Sequence, residues 1–355
     1  MAKGIDPATG PAVWTGVELS QNDDWIIKLT PSDLKELDAA LLSIQSKNIP
    51  VQEITTNDFL LPHLSARLQA FAEELENGRG FGVIRGIPVE NYTEEACKII
   101  SWGLCSYLGT GVPQSRQGEW INHVIDLSDV ANTTKPDFVR ALSRTELRSN
   151  YEGGELRWHT DSTELIALFC LKKAKSGGES RLASSAKLHN MMLEKNPACL
   201  QALYDGYYYM SLPYDDKTKT LKLSSDRIPV FRRRGKSVSC YYIPQVVERA
   251  IDRANIFYTT IENDARDLIQ SEANTPGIAH EFLLEQGDLE VINNLIVMHA
   301  RKRYEDYPNL DERRHLLRLW MAIKRKTTAG IPSTLPNLYL TSEQFRLRLK
   351  HEQIL

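Results

Sequence analysis

The chain has 355 residues, 42% hydrophobic and 25% charged, a composition within the range of ordinary globular proteins and a length that suits one large domain or two smaller ones. Its net charge of −3 argues against an overall pull toward nucleic acid or an anionic membrane. Five scattered cysteines, never spaced Cys-x-x-Cys, argue against a disulfide framework or structural zinc; with no apolar stretch in the first ten residues and no run near the ~20 residues of a membrane span, the expectation is a soluble, cytoplasmic protein.

In chain order, Thr30-Pro31-Ser32-Asp33 supplies a cap, a proline and an early acid, and Leu34, Leu37, Leu41 and Ile44 follow at helical spacing. Leu64, Leu68, Phe71 and Leu75 predict a second helix stopping near Gly78. Gly80–Ile87 predicts a strand and Thr93–Leu108 a third helix; the apolar stripes of these helices read as core. From about residue 155 short strands take over: Leu165–Leu171, apolar enough for burial on both faces, then Tyr207–Leu212 and Ser239–Ile243. Between them Ser184–Glu194 and a stretch around Val246–Leu268 read as helical. The basic run Arg232–Lys236, set between Val230-Phe231 and Val238–Tyr242, reads as an exposed hairpin tip rather than a phosphate site. Ala279–Leu284, Leu289–Asn293, Leu295–His299 and His315–Ile323 predict closing strands. Many short strands with inserted helices predict an α+β sandwich or barrel decorated by helices. The expected division is one domain over 1–355, with a helical part to 78, a core over 79–325 and a tail over 326–355.

The sharpest local feature is Trp158-His159-Thr160-Asp161. On a strand, residues two apart face the same side, so His159 and Asp161 would converge on one point. Taken alone, a hydrogen-bonded pair at a strand end is the simpler reading. Far along the chain, Gly287-Asp288-Leu289 opens a strand pair that runs through Asn293-Asn294 to His299, followed by Arg313–Trp320. Strand alternation puts Arg314, Leu316 and Arg318 on one face and His315, Leu317 and Leu319 on the other. Buried guanidinium groups need anions, from a protein acid or from a bound dicarboxylate. Two histidines and a carboxylate with the other positions open form the facial triad of non-haem Fe(II) oxygenases, and a nearby arginine suits the distal carboxylate of an oxo acid. Zinc hydrolysis would leave the arginine strand unexplained. A non-catalytic metal- or ligand-binding protein is the alternative from another class.

The chain resembles the TauD/TfdA (taurine dioxygenase-like) family of Fe(II)/2-oxoglutarate oxygenases. The resemblance rests on Trp158–Asp161, Lys175-Ser176-Gly177-Gly178-Glu179-Ser180, Gly287-Asp288-Leu289, Asn293…His299 and Arg313–Trp320, over at least residues 80–323. It implies a double-stranded β-helix (jelly-roll, cupin-like) core with iron ligands His159, Asp161 and His299. It implies that Arg314 pairs with the distal carboxylate of 2-oxoglutarate, that Ser180 hydrogen-bonds the same group, and that Arg318 holds an acidic group of the substrate. Fe(II), 2-oxoglutarate and O2 are the implied cofactors. The reaction releases succinate and CO2 and hydroxylates a C–H bond, with desaturation or ring closure such as aziridine formation as variants; the carboxylate of Asp161 argues against halogenation. Gln114, Asn122 and Tyr151 are the polar candidates bordering the pocket. With Arg318 free of protein acids, the substrate is expected to be a small anion such as an amino acid. Neither nucleic acid nor membrane is an expected partner, self-association is left open, and residues 337–355 are expected to cover a core edge.

Overall fold

The computed structural model describes residues 5–114, 119–129, 153–211 and 222–324. A three-residue strand, β1 (Ile26–Lys28), precedes helix α1 (Pro31–Lys47). Thr30 caps α1 through its hydroxyl, which accepts from the Asp33 N–H, while the Asp33 carboxylate accepts from the Thr30 N–H. Asn48, left-handed at φ 53°, closes the helix. Then come α2 (Leu64–Asn77), β2 (Phe81–Arg85), α3 (Glu94–Leu108), β3 (Gly109–Val112) and β4 (Ile121–Val124). The second part holds β5 (Leu156–His159), β6 (Leu165–Lys172), β7 (Ser180–Ser184), α4 (Ser185–Lys195) and α5 (Pro197–Asp205). It continues with α6 (Pro244–Ala254), α7 (Thr260–Ala273), β8 (His280–Phe282), β9 (Leu289–Asn293), β10 (Val297–Arg301) and β11 (His315–Ile323).

Two sheets carry the site. The wide one runs β1-β2-β9-β6-β11-β3, with β4 also paired to β11; the narrow one runs β8-β7-β10-β5. Apart from the parallel β1–β2 pair, these pairings are antiparallel. Alternation assigns each side chain a layer. On β6, Leu165, Ala167, Phe169 and Leu171 pack outward against α1, α2 and α3, while Ile166 and Cys170 face the gap between the sheets. On β11, Leu317, Leu319 and Met321 face out, and Leu316 and Trp320 face in. Each buried Leu, Ile or Phe contributes roughly 1.5–3 kcal/mol, and a one-residue slip would send a whole row to the wrong layer. Ala183, Met298 and Ala300 on the outer side of the narrow sheet pack with Leu188 and Met192 of α4, Leu200 of α5, and Ala265 and Ile269 of α7. The result is a jelly roll sandwiched between helices.

Some expectations shift. The first 78 residues are not purely helical, because β1 joins the wide sheet. The helical stretch around 246–268 is two helices. Asn255, left-handed at φ 49°, ends α6, and a Thr259–Glu262 capping box starts α7. Of the expected strand Tyr207–Leu212, the described part holds a bridge from Tyr207 to Ile228 and the strand Met210–Ser211, and Leu212 lies outside the described residues. The basic run is a hairpin tip, Phe231–Arg234 against Ser237–Cys240, turning at Gly235 (φ 58°). All five cysteines are buried free thiols. Among the described residues no helix is long and apolar enough to cross a membrane.

Candidate metal centre between the sheets

His159 and His299 stand directly opposite each other on β5 and β10, and antiparallel partners in register hold their side chains within reach. The imidazole centroids are 4.2 Å apart. The β5–β10 register shifts between His299 and Arg301. That irregularity lets Leu156 and His159, three residues apart, both line the cavity between the sheets.

Asp161 arrives by another route than strand alternation. Strand β5 ends at His159, so the expectation that two strand residues converge is corrected. The completely buried Thr160 turns the chain: its N–H donates to the Tyr242 carbonyl at 2.7 Å, and its Oγ1 accepts from the Tyr242 N–H at 2.9 Å. The Asp161 N–H then donates to Asn294 Oδ1 at 3.1 Å. Ligand atoms of His159, Asp161 and His299 all lie within 4.8 Å of one another.

Protonation states suit a metal. His159 Nδ1 lies 2.7 Å from the Arg157 carbonyl, which can only accept, so Nδ1 carries the proton and Nε2 is left as a ligand atom, 4.0 Å from Asp161 Oδ1. Burial pushes His159 below the usual histidine value, and burial together with His159 pushes His299 down to about 3. Burial opposes the charge on Asp161, but Arg318, the two imidazoles and the Trp320 indole N–H outweigh it and hold its carboxyl below the usual range. Two neutral imidazoles and an ionised carboxylate are the donor set a divalent iron takes.

Arg318 differs from its expected role. Its Nη1 lies 3.3 Å from Asp161 Oδ2, which also accepts from Trp320 Nε1 at 3.1 Å. Its Nε donates to Gln114 Oε1 at 2.9 Å. Arg318 therefore faces a protein acid, and the inference of an anionic substrate from a free Arg318 does not hold. Gln114 lines the cavity, but its amide is committed to Arg318 and to the Trp120 carbonyl. Asn122 is buried in register with Arg318 and does not line the cavity. Tyr151 and residues 337–355 lie outside the described residues.

Arg314 lines the same cavity of about 280 Å³, its guanidinium 5.1 Å from the Tyr304 ring centroid. Its backbone N–H donates to Asp306 Oδ1 at 2.7 Å, while its Nη1 is buried with no hydrogen-bond partner. Ser180 lines the cavity too, and its hydroxyl donates to Glu290 Oε2 at 3.0 Å. Glu290 is the site residue that sequence reasoning missed. It sits on β9 facing inward with Ile292, and burial pushes its carboxyl up to about 7. The available signal was one acid at an alternating position in the otherwise apolar Leu289–Ile292. Arg301 completes this end, its pKa pulled down to about 10 by burial and by Arg314.

A second group with matching chemistry, Glu94, His123 and His315, lies on the outer side of the wide sheet. There His123 Nδ1 and His315 Nε2 are 2.7 Å apart and share a hydrogen bond, and Lys98 already neutralises Glu94 at 2.9 Å. The group meets α3 rather than the cavity, and it reads as a packed pair.

A jelly roll with two neutral imidazoles and a carboxylate on one wall of an internal cavity defines a non-haem iron oxygenase. Residues 45–320 match the family described as "Taurine catabolism dioxygenase TauD, TfdA family", and the chain belongs to that family. It is thus an Fe(II)- and 2-oxoglutarate-dependent dioxygenase. The chain is similar to an FR-33289 synthase of Streptomyces rubellomurinus (strain ATCC 31215), 26% identical over 321 residues, 90% of this chain and 91% of that protein. It is also similar to the taurine hydroxylase-like protein SAT17 of Stachybotrys chartarum (strain CBS 109288 / IBT 7711), 26% identical over 86% of this chain and 77% of that one. In fold it resembles an asparagine oxygenase in complex with Fe(II), 2S,3S-3-hydroxyasparagine and succinate, with TM-score 0.65 and 12% identity over 84% and 93% of the two chains. The non-heme iron oxygenase OrfP with Fe and alpha-ketoglutaric acid gives TM-score 0.55 and 16% identity over 84% and 94%.

Proposed function

We propose that His159, Asp161 and His299 are the iron ligands of this oxygenase, that Arg314 receives the distal carboxylate of 2-oxoglutarate, and that the substrate is a small amino-acid-like molecule hydroxylated at a C–H bond. The observation that carries the reading is one cavity with the facing His159–His299 pair and Asp161 in its wall and the unpartnered Arg314 Nη1 in its lining. When bound, iron, 2-oxoglutarate and O2 supply the oxidising power, with succinate and CO2 released.

The chain's own part is positioning. Arg157 fixes the His159 tautomer, and Arg318 and Trp320 hold the Asp161 carboxylate in place. Gln114 in turn fixes Arg318. Ile166, Leu168, Leu182, Ile292 and Leu316 give the cavity apolar walls that exclude water. Gln245 and Arg249 of α6 line the same cavity. With Arg318 committed to Asp161, Arg249 is the cation assigned to a substrate carboxylate. Support for an amino-acid-like substrate comes from two fold neighbours, the asparagine oxygenase and OrfP, the latter also known in complex with L-Arg.

The test is turnover with Fe(II), 2-oxoglutarate and a panel of amino acids, reading succinate and product mass. The expected result is succinate release stimulated by at least one amino acid, with a product heavier by one oxygen atom. Stimulation by none of them, with succinate formed at the uncoupled rate, would remove the substrate assignment.

A further inference from the structure

The residues lining the cavity include several buried polar atoms without a hydrogen-bond partner, Glu290 Oε1 and Arg314 Nη1 among them. Glu290 is fully buried; its Oε2 accepts from Ser180, while its Oε1 has no hydrogen-bond partner. Arg314 Nη1 is in the same condition, and among the described residues no ion pair joins the two side chains. The strands flanking Glu290 put Val83 and Leu168 beside it in register, so neither neighbour offers a charge. The groups that act on its carboxyl are Ser180 on β7, Arg314 just ahead of β11 and Asp288, two residues before Glu290. Asp288 is itself held by Arg85 through two hydrogen bonds of 2.9 and 2.7 Å.

We propose that Glu290 is a co-substrate-binding residue whose neutral carboxyl donates a hydrogen bond through Oε1 to the distal carboxylate of 2-oxoglutarate, the same carboxylate that Arg314 Nη1 contacts. This rests on the Arg314 assignment above and goes beyond it. An ionised Glu290 would set one carboxylate against another in a site that excludes water, and like charges at close range do not both persist. A protonated one converts that repulsion into a hydrogen bond. Burial already pushes the free carboxyl up to about 7, so the neutral form is accessible near physiological pH. No covalent bond changes. Binding above that range takes one proton from solvent onto Glu290, and below it none.

The test is calorimetric titration of the Fe(II)-loaded enzyme with 2-oxoglutarate under anaerobic conditions, from pH 6 to pH 8.5, in two buffers of different ionisation enthalpy. For the wild type the Kd is expected to weaken above about pH 7, at up to about tenfold per pH unit, with net proton uptake on binding. Glu290→Gln keeps a donor and cannot titrate; its Kd is expected to stay flat across the range with no proton uptake. Glu290→Leu removes the donor and is expected to bind more weakly than Glu290→Gln at every pH. Circular dichroism confirms that each variant folds. A wild-type Kd independent of pH, or a Glu290→Gln variant that retains the wild-type slope and proton uptake, would overturn the proposal. Arg314→Gln separates the two claims: weakened binding at every pH with the slope retained supports both, while unchanged binding sinks the Arg314 assignment whatever Glu290 does.

Discussion

Two groups of two imidazoles and one carboxylate flank the wide sheet, one across the gap on the narrow sheet and the turn after β5, the other on its outer side against α3. On the inner side His159, Asp161 and His299 surround the edge of a cavity; on the outer side Glu94, His123 and His315 are closed on themselves. Composition is the same, and surroundings differ. The inner imidazoles face each other at 4.2 Å, with the His159 Nδ1 proton occupied by the Arg157 carbonyl and Nε2 left as a ligand atom. The outer rings spend one nitrogen each on the other, and Lys98 sets a positive charge beside the carboxylate. A metal site is made by what leaves ligand atoms available, not by residue type alone.

The largest expected effect falls on the inner group. His299→Ala should lower iron binding and turnover by more than the roughly 10- to 100-fold cost of losing a ligand's hydrogen-bond partner. His315→Ala should leave both near wild type, measured by metal analysis and coupled turnover. Equal losses in the two variants would erase the distinction. Next, Arg314→Ala should weaken 2-oxoglutarate at least about 30-fold, since truncating one side of a buried charge pair costs 2 kcal/mol or more. Turnover should recover partly at high co-substrate concentration, which steady-state kinetics would show. Arg318→Met sharpens the comparison from within, because it removes the cation that holds Asp161; iron affinity should fall by about 10-fold while the 2-oxoglutarate Kd of the loaded enzyme stays within a few-fold.

The smallest effect belongs to the outer pair. Burial pushes both His123 and His315 below the usual histidine value, so the unfolded chain binds their protons more readily than the fold does. Their contribution to stability is full above the unfolded value of about 6.5 and is lost as pH falls toward the lower folded values. The wild-type melting temperature should therefore drop on acidification through that window, and His315→Phe should drop less. An equal drop would mean that the pair carries no such linkage.

Much of this was legible in the sequence. The bounds of β11, His315–Ile323, follow from alternation, and α1 follows from its cap and its Leu37–Leu41–Ile44 stripe. The grouping of His159, Asp161 and His299 was legible for a partly wrong reason: Asp161 joins the two imidazoles because buried Thr160 hooks the Tyr242 backbone, an interaction 82 residues apart that no local pattern reveals. Arg318 was read as open because its partners, Asp161 and Gln114, are 157 and 204 residues away. Glu290 escaped because a lone acid in a strand looks like a solvent-facing residue until the second sheet covers it. The strand β1 is three residues long and carries no periodicity of its own.

The most direct test of the account is anaerobic titration of the apoenzyme with Fe(II) in the presence of 2-oxoglutarate, followed by visible absorption. The expected result is a weak charge-transfer band that saturates at one iron per chain, persists in His315→Ala and is absent from His159→Ala. A band that survives in His159→Ala and vanishes in His315→Ala would place the iron on the other side of the sheet and contradict the assignment.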